Sequence, residues 1–543
     1  MYIATVPNRT SPPALLLREN YREGGKTKSR TLANLSKLPA ERIEALRRAF
    51  RGDFDGVSGD ESCDRVFGVL YALREVAKDI GITRVLKSAS KFGKLLEFLV
   101  YARIAHRGSR LSAVRWARAH AVSEVLGVES FTEKDLYKAL AWGAQEQERL
   151  EDQLYRDYVA KSGEAPALFL YDVTSVYLEG TQNEYAAYGY NRDGKKGKQQ
   201  IVVGLLTGPD GEPLAIRVFQ GNTADPTTVG AQIDTLAQRF KVEHVVFVGD
   251  RGMVKSAGKD LLASKGLHYI SALTDPQVRT LLRTNVITPT LFDTTVREVE
   301  HEGKRLVLRK NPDVVKKEAK RREHKLLTLD KKIVAANERL AMHHKAKVST
   351  AEAALTRFLA THKLAAFVTI ALQDRTLSVN IDNEAMAHSS LLDGCYVMET
   401  DLPKHILATA DVDARYRDLA KVERNFRSLK TAFLDVRPLF VRRKETTQGA
   451  VFVAFLALKL LRVIEKRLAK AFGTTNDNPL ATTAQDAIDH LARFTFLKSQ
   501  QHGITTLRLP RPDETIASIF TALHIPVPAT SARVQATNKP KNE

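Results

Sequence analysis

Cysteine is nearly absent: Cys63 and Cys395 are the two in 543 residues. They lie far apart, without the paired spacing of a zinc site or the density of a disulfide scaffold, which points to a reducing, cytosolic setting. Histidine and cysteine are nowhere clustered at zinc-ligand spacing. His343 and His344 are adjacent in a polar segment and read as solvated. Long apolar runs are missing as well. The strongest, residues 450–461, is interrupted by Lys459 and falls short of the roughly 20 residues that a spanning helix needs. Residues 1–9 have no basic region followed by an apolar stretch, so no secretory signal is expected there. These absences predict a soluble, cytoplasmic protein with no membrane partner.

Acidic charge is scarce relative to basic: 63 Asp and Glu against 83 Lys and Arg, a formal net charge of +20. Such an excess favours a polyanionic partner through counterion release from phosphates. Charge alone leaves DNA, RNA and an anionic membrane open. The length predicts two or more structural units, since domains typically run to about 100–200 residues.

Along the chain, two extended runs at 14–23 and 26–35 flank Gly24-Gly25, a dipeptide suited to a tight hairpin turn. Lys26, Lys28 and Arg30 alternate on the second run and share a face, which fits either a phosphate-facing surface or a solvated, protected edge. Residues 39–162 read as helical, with Ser130-Phe-Thr-Glu133 as a capping box. Arg103, Arg107, Arg110, Arg115 and Arg118 make a basic stretch there, either DNA-facing or solubilising. Residues 167–275 alternate strands and helices, with a hairpin turn at 208–212 and a helix opened by Asp225-Pro226. Residues 276–400 break that rhythm and read as an insertion. Leu326, Leu329, Ile333, Ala336 and Leu340 predict an amphipathic helix inside it. The chain after Pro526, rich in Ala, Thr, Ser, Asn and Lys, is expected to be disordered.

Three carboxylates stand out. Asp172 interrupts the apolar and aromatic strand at 167–177, where an unpaired buried carboxylate is costly. Asp250 ends the strand at 244–250 and on its own reads as a turn residue. Glu423 lies in a helical segment at 416–430. Tyr416, Glu423 and Lys430 fall seven residues apart there, within about 20° of one another per step on a single helix, with Arg427 about 40° from Glu423. A stripe held by ordinary ion pairs is the bland reading of that helix. In company, two Asp and one Glu from separate elements suffice to hold Mg²⁺ on a phosphate.

These residues resemble the DDE transposases of bacterial insertion sequences, in particular the subgroup with the pattern Tyr, two residues, Arg, three residues, Glu, six residues, Lys. Tyr416, Glu423 and Lys430 match that pattern, and Leu419 stands at its Arg position. Asp172 in Tyr171-Asp-Val-Thr-Ser-Val-Tyr177 and Asp250 in Val248-Gly-Asp-Arg-Gly-Met253 look like the other two motif centres. Residues 221–225 and the opening residues 6–13 are also similar to this group.

The resemblance implies an α/β fold: an RNase H-like catalytic core, a mixed five-stranded sheet flanked by helices, interrupted by an insertion. The expected organisation is an N-terminal hairpin and helical DNA-binding region (1–165), a first core part (166–275), the insertion (276–400), a second core part (401–475), and a C-terminal region with a disordered tail (476–543). The order of elements agrees with such a core: first Asp on the first strand, second Asp after the fourth, Glu on a late helix. The resemblance further implies that Asp172, Asp250 and Glu423 are catalytic and ligate two Mg²⁺ or Mn²⁺ ions, while Tyr416, Arg427 and Lys430 contact DNA. Implied partners are double-stranded DNA, as terminal inverted repeats and target, and further copies of the chain in a dimer or higher synaptic assembly, acting at the nucleoid. An RNase H-type nuclease without strand transfer and an inactive DNA-binding derivative are the alternatives.

Overall fold

The computed structural model describes residues 1–8, 12–51, 62–86, 90–241, 246–251, 253–430, 434–475, 478, 481–501 and 504–536. Two compact units emerge. One comprises Met1–Ala72, Ala117–Ala121 and Asp486–Glu543; the other comprises Leu73–Trp116 and Val122–Gln485.

The larger unit is built on a mixed sheet. Its strands are β1 (Leu168–Tyr177), β2 (Gln200–Thr207), β3 (Pro213–Phe219), β4 (Val246–Gly249), β5 (His268–Ala272), β6 (Arg297–His301), β7 (Lys304–Lys310) and β8 (Cys395–Thr400). They lie in the order β6-β7-β8-β5-β4-β1-β2-β3. β1 pairs in parallel with β4 and antiparallel with β2, with Asp172 opposite Leu205. Five strands were expected and eight are present among the described residues. The difference comes from the segment read as an insertion, which adds β6, β7 and β8 beyond β5 and so satisfies backbone groups along an edge that would otherwise stand open.

Helices line the sheet: α1 (Glu133–Ser162), α2 (Asp225–Asp234), α3 (Ser256–Ser264), α4 (Thr409–Arg417), α5 (Leu419–Lys430) and α6 (Lys444–Phe472). α1 is opened by a capping box of Thr132 and Asp135, not Ser130 and Glu133: the Thr132 side chain accepts from the Asp135 amide and the Asp135 carboxylate accepts from the Thr132 amide. One core cluster gathers Phe169, Tyr171 and Val173 of β1 with Tyr155 of α1 and Val229 and Ile233 of α2. α6 meets the length and composition of a membrane span, yet most of its apolar window is buried within the protein, as in a core helix. Its Lys459 is buried, pairs with Glu212 and donates to the Pro213 carbonyl at 2.8 Å. Of the basic stretch, Arg110 is buried and Arg103 donates to the Leu434 and Asp435 carbonyls, so these two serve the interior.

Between β7 and β8, helices Pro312–Met342 and Val348–Thr361 and a hairpin of Val368–Gln373 with Thr376–Ile381 enclose a core of their own. Leu329, Ile333 and Leu340 are buried in it, with Leu326 and Ala336 packed alongside, as the amphipathic spacing predicts.

In the smaller unit, Tyr2–Val6, Ala14–Glu23 and Lys26–Asn34 form an antiparallel sheet. Gly24 and Gly25 both take positive φ, 58° and 73°, as a two-residue primed turn demands. Two of the alternating cations are matched across the hairpin, Lys28 with Glu23 at 2.9 Å and Arg30 with Glu19 at 2.8 Å. A second sheet runs Ser531–Ala536, Ile504–Leu509, Thr495–Gln501, Ser62–Val66. Disorder was expected after Pro526; instead 531–536 completes that sheet by pairing with 504–509. Residues 537–543 lie outside the described residues.

Candidate active site

Strand alternation places Asp172. Phe169, Tyr171 and Val173 enter the core cluster, so the residue between Tyr171 and Val173 turns to the opposite face of β1. Asp172 is half-buried there, and its Oδ1 accepts from the Val173 amide at 2.7 Å. Burial pushes its carboxyl up to about 7. The Val173 amide and Arg192 oppose that shift, while the negative charges of Asp250 and Glu423 add to it.

Asp250 follows β4, the parallel neighbour of β1, and the pairing of Tyr171 with Gly249 brings it beside Asp172 in the middle of β1. Its Oδ1 accepts from the Arg251 amide at 2.6 Å and from the Tyr416 hydroxyl at 3.3 Å. Its backbone carbonyl accepts from Ser271 at 3.2 Å. The Tyr416 phenol is shifted upward by burial and by the Asp250 charge, so it acts as a donor.

Glu423 is exposed on α5, a helix that packs against β1. It has no side-chain hydrogen bond or ion pair among the described residues, and its charge is felt at Asp172. Tyr416 does not share its helix. A turn residue, Asp418, separates α4 from α5, so the single stripe expected from the seven-residue spacing is broken between Tyr416 and Glu423. Asp418 pairs with Arg415 at 3.1 Å and with Lys421 at 2.9 Å across that break. Leu419, where the motif carries Arg, is buried and contributes to packing.

Lys430 ends α5 and points to a different acid. Its ammonium lies 2.8 Å from Asp193, a carboxylate that is 1% exposed and is also paired with Arg437. The other Asp193 oxygen accepts from the Tyr177 amide at 3.3 Å. Burial lowers the Lys430 pKa and Asp193 opposes the shift. Arg427 is exposed on α5, one turn beyond Glu423. Thus Asp172, Asp250, Glu423 and Tyr416 are gathered in one neighbourhood, while Lys430 is held by Asp193. Arg192, Asp193 and Arg437 were not anticipated. Asn191-Arg-Asp-Gly194 reads as an ordinary turn, and no local signal marks its Asp as a partner for α5.

Among the described residues, no three His, Cys, Asp or Glu side chains are drawn together tightly enough to form a metal site. The donor chemistry nonetheless suits a hard divalent cation: carboxylate oxygens only, one of them destabilised as an anion by the other two.

No curated protein matches the sequence. Among solved structures, a piggyBac transposase synaptic complex with hairpin DNA is similar at 8% identity and a TM-score of 0.36, over 78% of this chain and 76% of that one. A Mos1 transposase paired-end complex with the left transposon end is similar at 9% identity and a TM-score of 0.15, over 30% and 53%. Likeness this faint carries no weight for fold or site. The sequence itself is matched by two family models, one for an IS1634 family transposase N-terminal domain over residues 3–60 and one for a transposase DDE domain over residues 164–460. The second takes in Asp172, Asp250 and Glu423 and spans more than half of the 543 residues, and on that footing the chain belongs to the DDE transposases of bacterial insertion sequences, enzymes that act on DNA.

Proposed function

We propose that the larger unit is an RNase H-like core whose Asp172, Asp250 and Glu423 form the catalytic centre for cleavage at the terminal inverted repeats of the element and for joining of the freed 3′-hydroxyl to target DNA. The observation that carries this reading is geometric: parallel pairing of Tyr171 with Gly249 sets Asp172 beside Asp250, and α5, which carries Glu423, packs against β1. Carboxylates so placed repel one another unless a cation lies among them. The three acids would hold two Mg²⁺ or Mn²⁺ ions. When bound, such ions supply Lewis acidity at the scissile phosphate and lower the pKa of the attacking hydroxyl.

The remaining roles belong to this chain's own side chains. Tyr416 donates to Asp250 and leaves the second oxygen of that carboxylate for other partners. Asp172 must release its proton to act as a ligand, which sets a pH dependence. Arg427, exposed on α5 one turn beyond Glu423, would meet a phosphate of the bound strand. Lys430 and Arg437 share Asp193, and the excess of cations over that one carboxylate would favour a phosphate at the end of α5. A dimer or higher assembly would bring two element ends together.

The test is strand cleavage on a linear duplex that carries the DNA flanking the gene. Asp172→Asn keeps size and hydrogen bonding but removes the charge. It is expected to bind the duplex as the parent does and to cleave at least about a hundredfold more slowly in magnesium. Undiminished cleavage by this variant overturns the assignment. Cleavage by the parent without any joined target product would replace transposition with nuclease activity.

A further inference from the structure

We propose that Tyr188 and Tyr190 form a stacking platform for unpaired nucleobases of a DNA strand lying beside Asp172, an inference that rests on the function proposed above.

The segment between β1 and β2 presents two tyrosine rings to solvent, Tyr188 at 64% and Tyr190 at 81% exposure. Aromatic side chains are ordinarily largely buried, and a pair this open two residues apart is unusual. The loop itself is tightly tied. Asn183 donates to the Val441 carbonyl at 2.7 Å and to the Thr447 hydroxyl at 2.8 Å. The Gly221 amide donates to the Tyr185 carbonyl at 3.0 Å, and the Gln200 side chain to the Tyr190 carbonyl at 3.2 Å. Gly189, between the two tyrosines, lies so close to the Gly221 carbonyl that a Cβ there would sit 2.3 Å from its oxygen. The Arg192 amide then donates to Ser175 of β1 at 2.9 Å. The backbone is thus fixed on both sides of rings that touch little, so a partner stacking on them would forfeit little loop entropy.

The surroundings select the partner. The Arg192 guanidinium, which also pairs with Asp225, lies 5.7 Å from the centroid of the Tyr190 ring, and Lys195 and Lys196 are exposed farther along the loop. The acid of that stretch, Asp193, has its carboxylate buried and matched by Lys430 and Arg437. Ser175, which holds the Arg192 amide, lies three residues along β1 from Asp172, so the platform is anchored to the strand that carries the proposed chemistry. Aromatic faces interleaved with cations, next to a phosphate-transfer centre, are the features by which single-stranded DNA is held without regard to sequence. A duplex keeps its bases stacked on one another and offers these rings nothing but its terminal pairs.

The experiment is fluorescence anisotropy with the full chain in a chelator, using a labelled oligothymidylate of about 20 nucleotides and an arbitrary duplex of the same length. Replacing both tyrosines by alanine (Y188A with Y190A) is expected to weaken oligothymidylate binding by roughly fivefold to a hundredfold per stack lost, with duplex affinity changed less than about twofold. Phenylalanine at both positions, which keeps the rings and drops the hydroxyls, is expected to bind as the parent does. Parent-like oligothymidylate affinity in the alanine variant overturns the proposal. So does an equal loss with phenylalanine. Reduced self-association with oligothymidylate binding unchanged would assign the rings to a protein interface and overturns it too. The platform is read as binding in a chelator and the catalytic reading as cleavage in magnesium, so failure of the one and failure of the other give different results.

Discussion

With its carboxyl pushed up to about 7 by burial, and further by the charges of Asp250 and Glu423, Asp172 binds a proton more tightly in the folded chain than in the unfolded one. Between the ordinary carboxylate range and pH 7 the folded state therefore holds more protons, and stability falls as pH rises through that window. Asparagine at position 172 carries no charge at any pH and escapes the penalty. Thermal melts should show Asp172→Asn unfolding a few degrees above the parent at pH 8, about 2–4 °C per kcal/mol relieved, and close to the parent near pH 4. Added Mg²⁺ at pH 8 should raise the parent's midpoint and leave that of the variant nearly unmoved. A variant no more stable than the parent at pH 8 contradicts this account. Asp172 was visible in the sequence because a charged residue inside an apolar strand advertises a cost. Asp193 was not: its partner Lys430 is 237 positions away, and its own turn is unremarkable.

Elements were legible where one period ruled and less so where packing overrode it. The amphipathic helix around Leu329, Ile333 and Leu340 follows from spacing alone. The helix around Glu423 does not, because Asp418 interrupts it and turns a predicted single stripe into two short helices. Close approach of helices is similarly hidden in sequence, as Gly449 of α6 shows. A Cβ built there would lie 2.0 Å from the Leu140 carbonyl oxygen of α1, too close for any side chain without parting the helices. Gly230 of α2 has nothing nearer than Leu261 at 3.9 Å. Gly449→Ala should destabilise the larger unit by about 1–3 kcal/mol in denaturant titration, through overpacking. Gly230→Ala should stabilise it by about 0.4–1 kcal/mol, because the helix interior favours alanine and the unfolded chain loses freedom. Equal effects at the two sites would mean that backbone propensity, not the contact with Leu140, sets the outcome.

At the scale of the whole molecule, the least legible feature is the pairing of distant segments. Ser62–Val66 joins Thr495–Gln501, and the aromatic cluster of Phe67 and Tyr71 is completed by Phe494, Phe496 and Phe520. Pairing across such a separation leaves no local pattern, since neither strand announces its partner and loop closure over hundreds of residues is entropically costly until the contacts form. The same holds for β8, whose place beside β5 turned an expected insertion partly into sheet. The strand at 62–66 and its aromatic neighbours therefore depend on chain that is made much later. A chain truncated after Gln485 loses Phe494, Phe496 and Phe520 together with the strand 495–501, which strips Phe67 and Tyr71 of the rings they pack against. Limited proteolysis of that truncation should cut within residues 62–72 at protease levels that leave the full chain intact there, while the sheet of the larger unit, whose strands all precede the cut, stays protected. Equal protection of 62–72 in both chains would show that the first part of the smaller unit folds without the last.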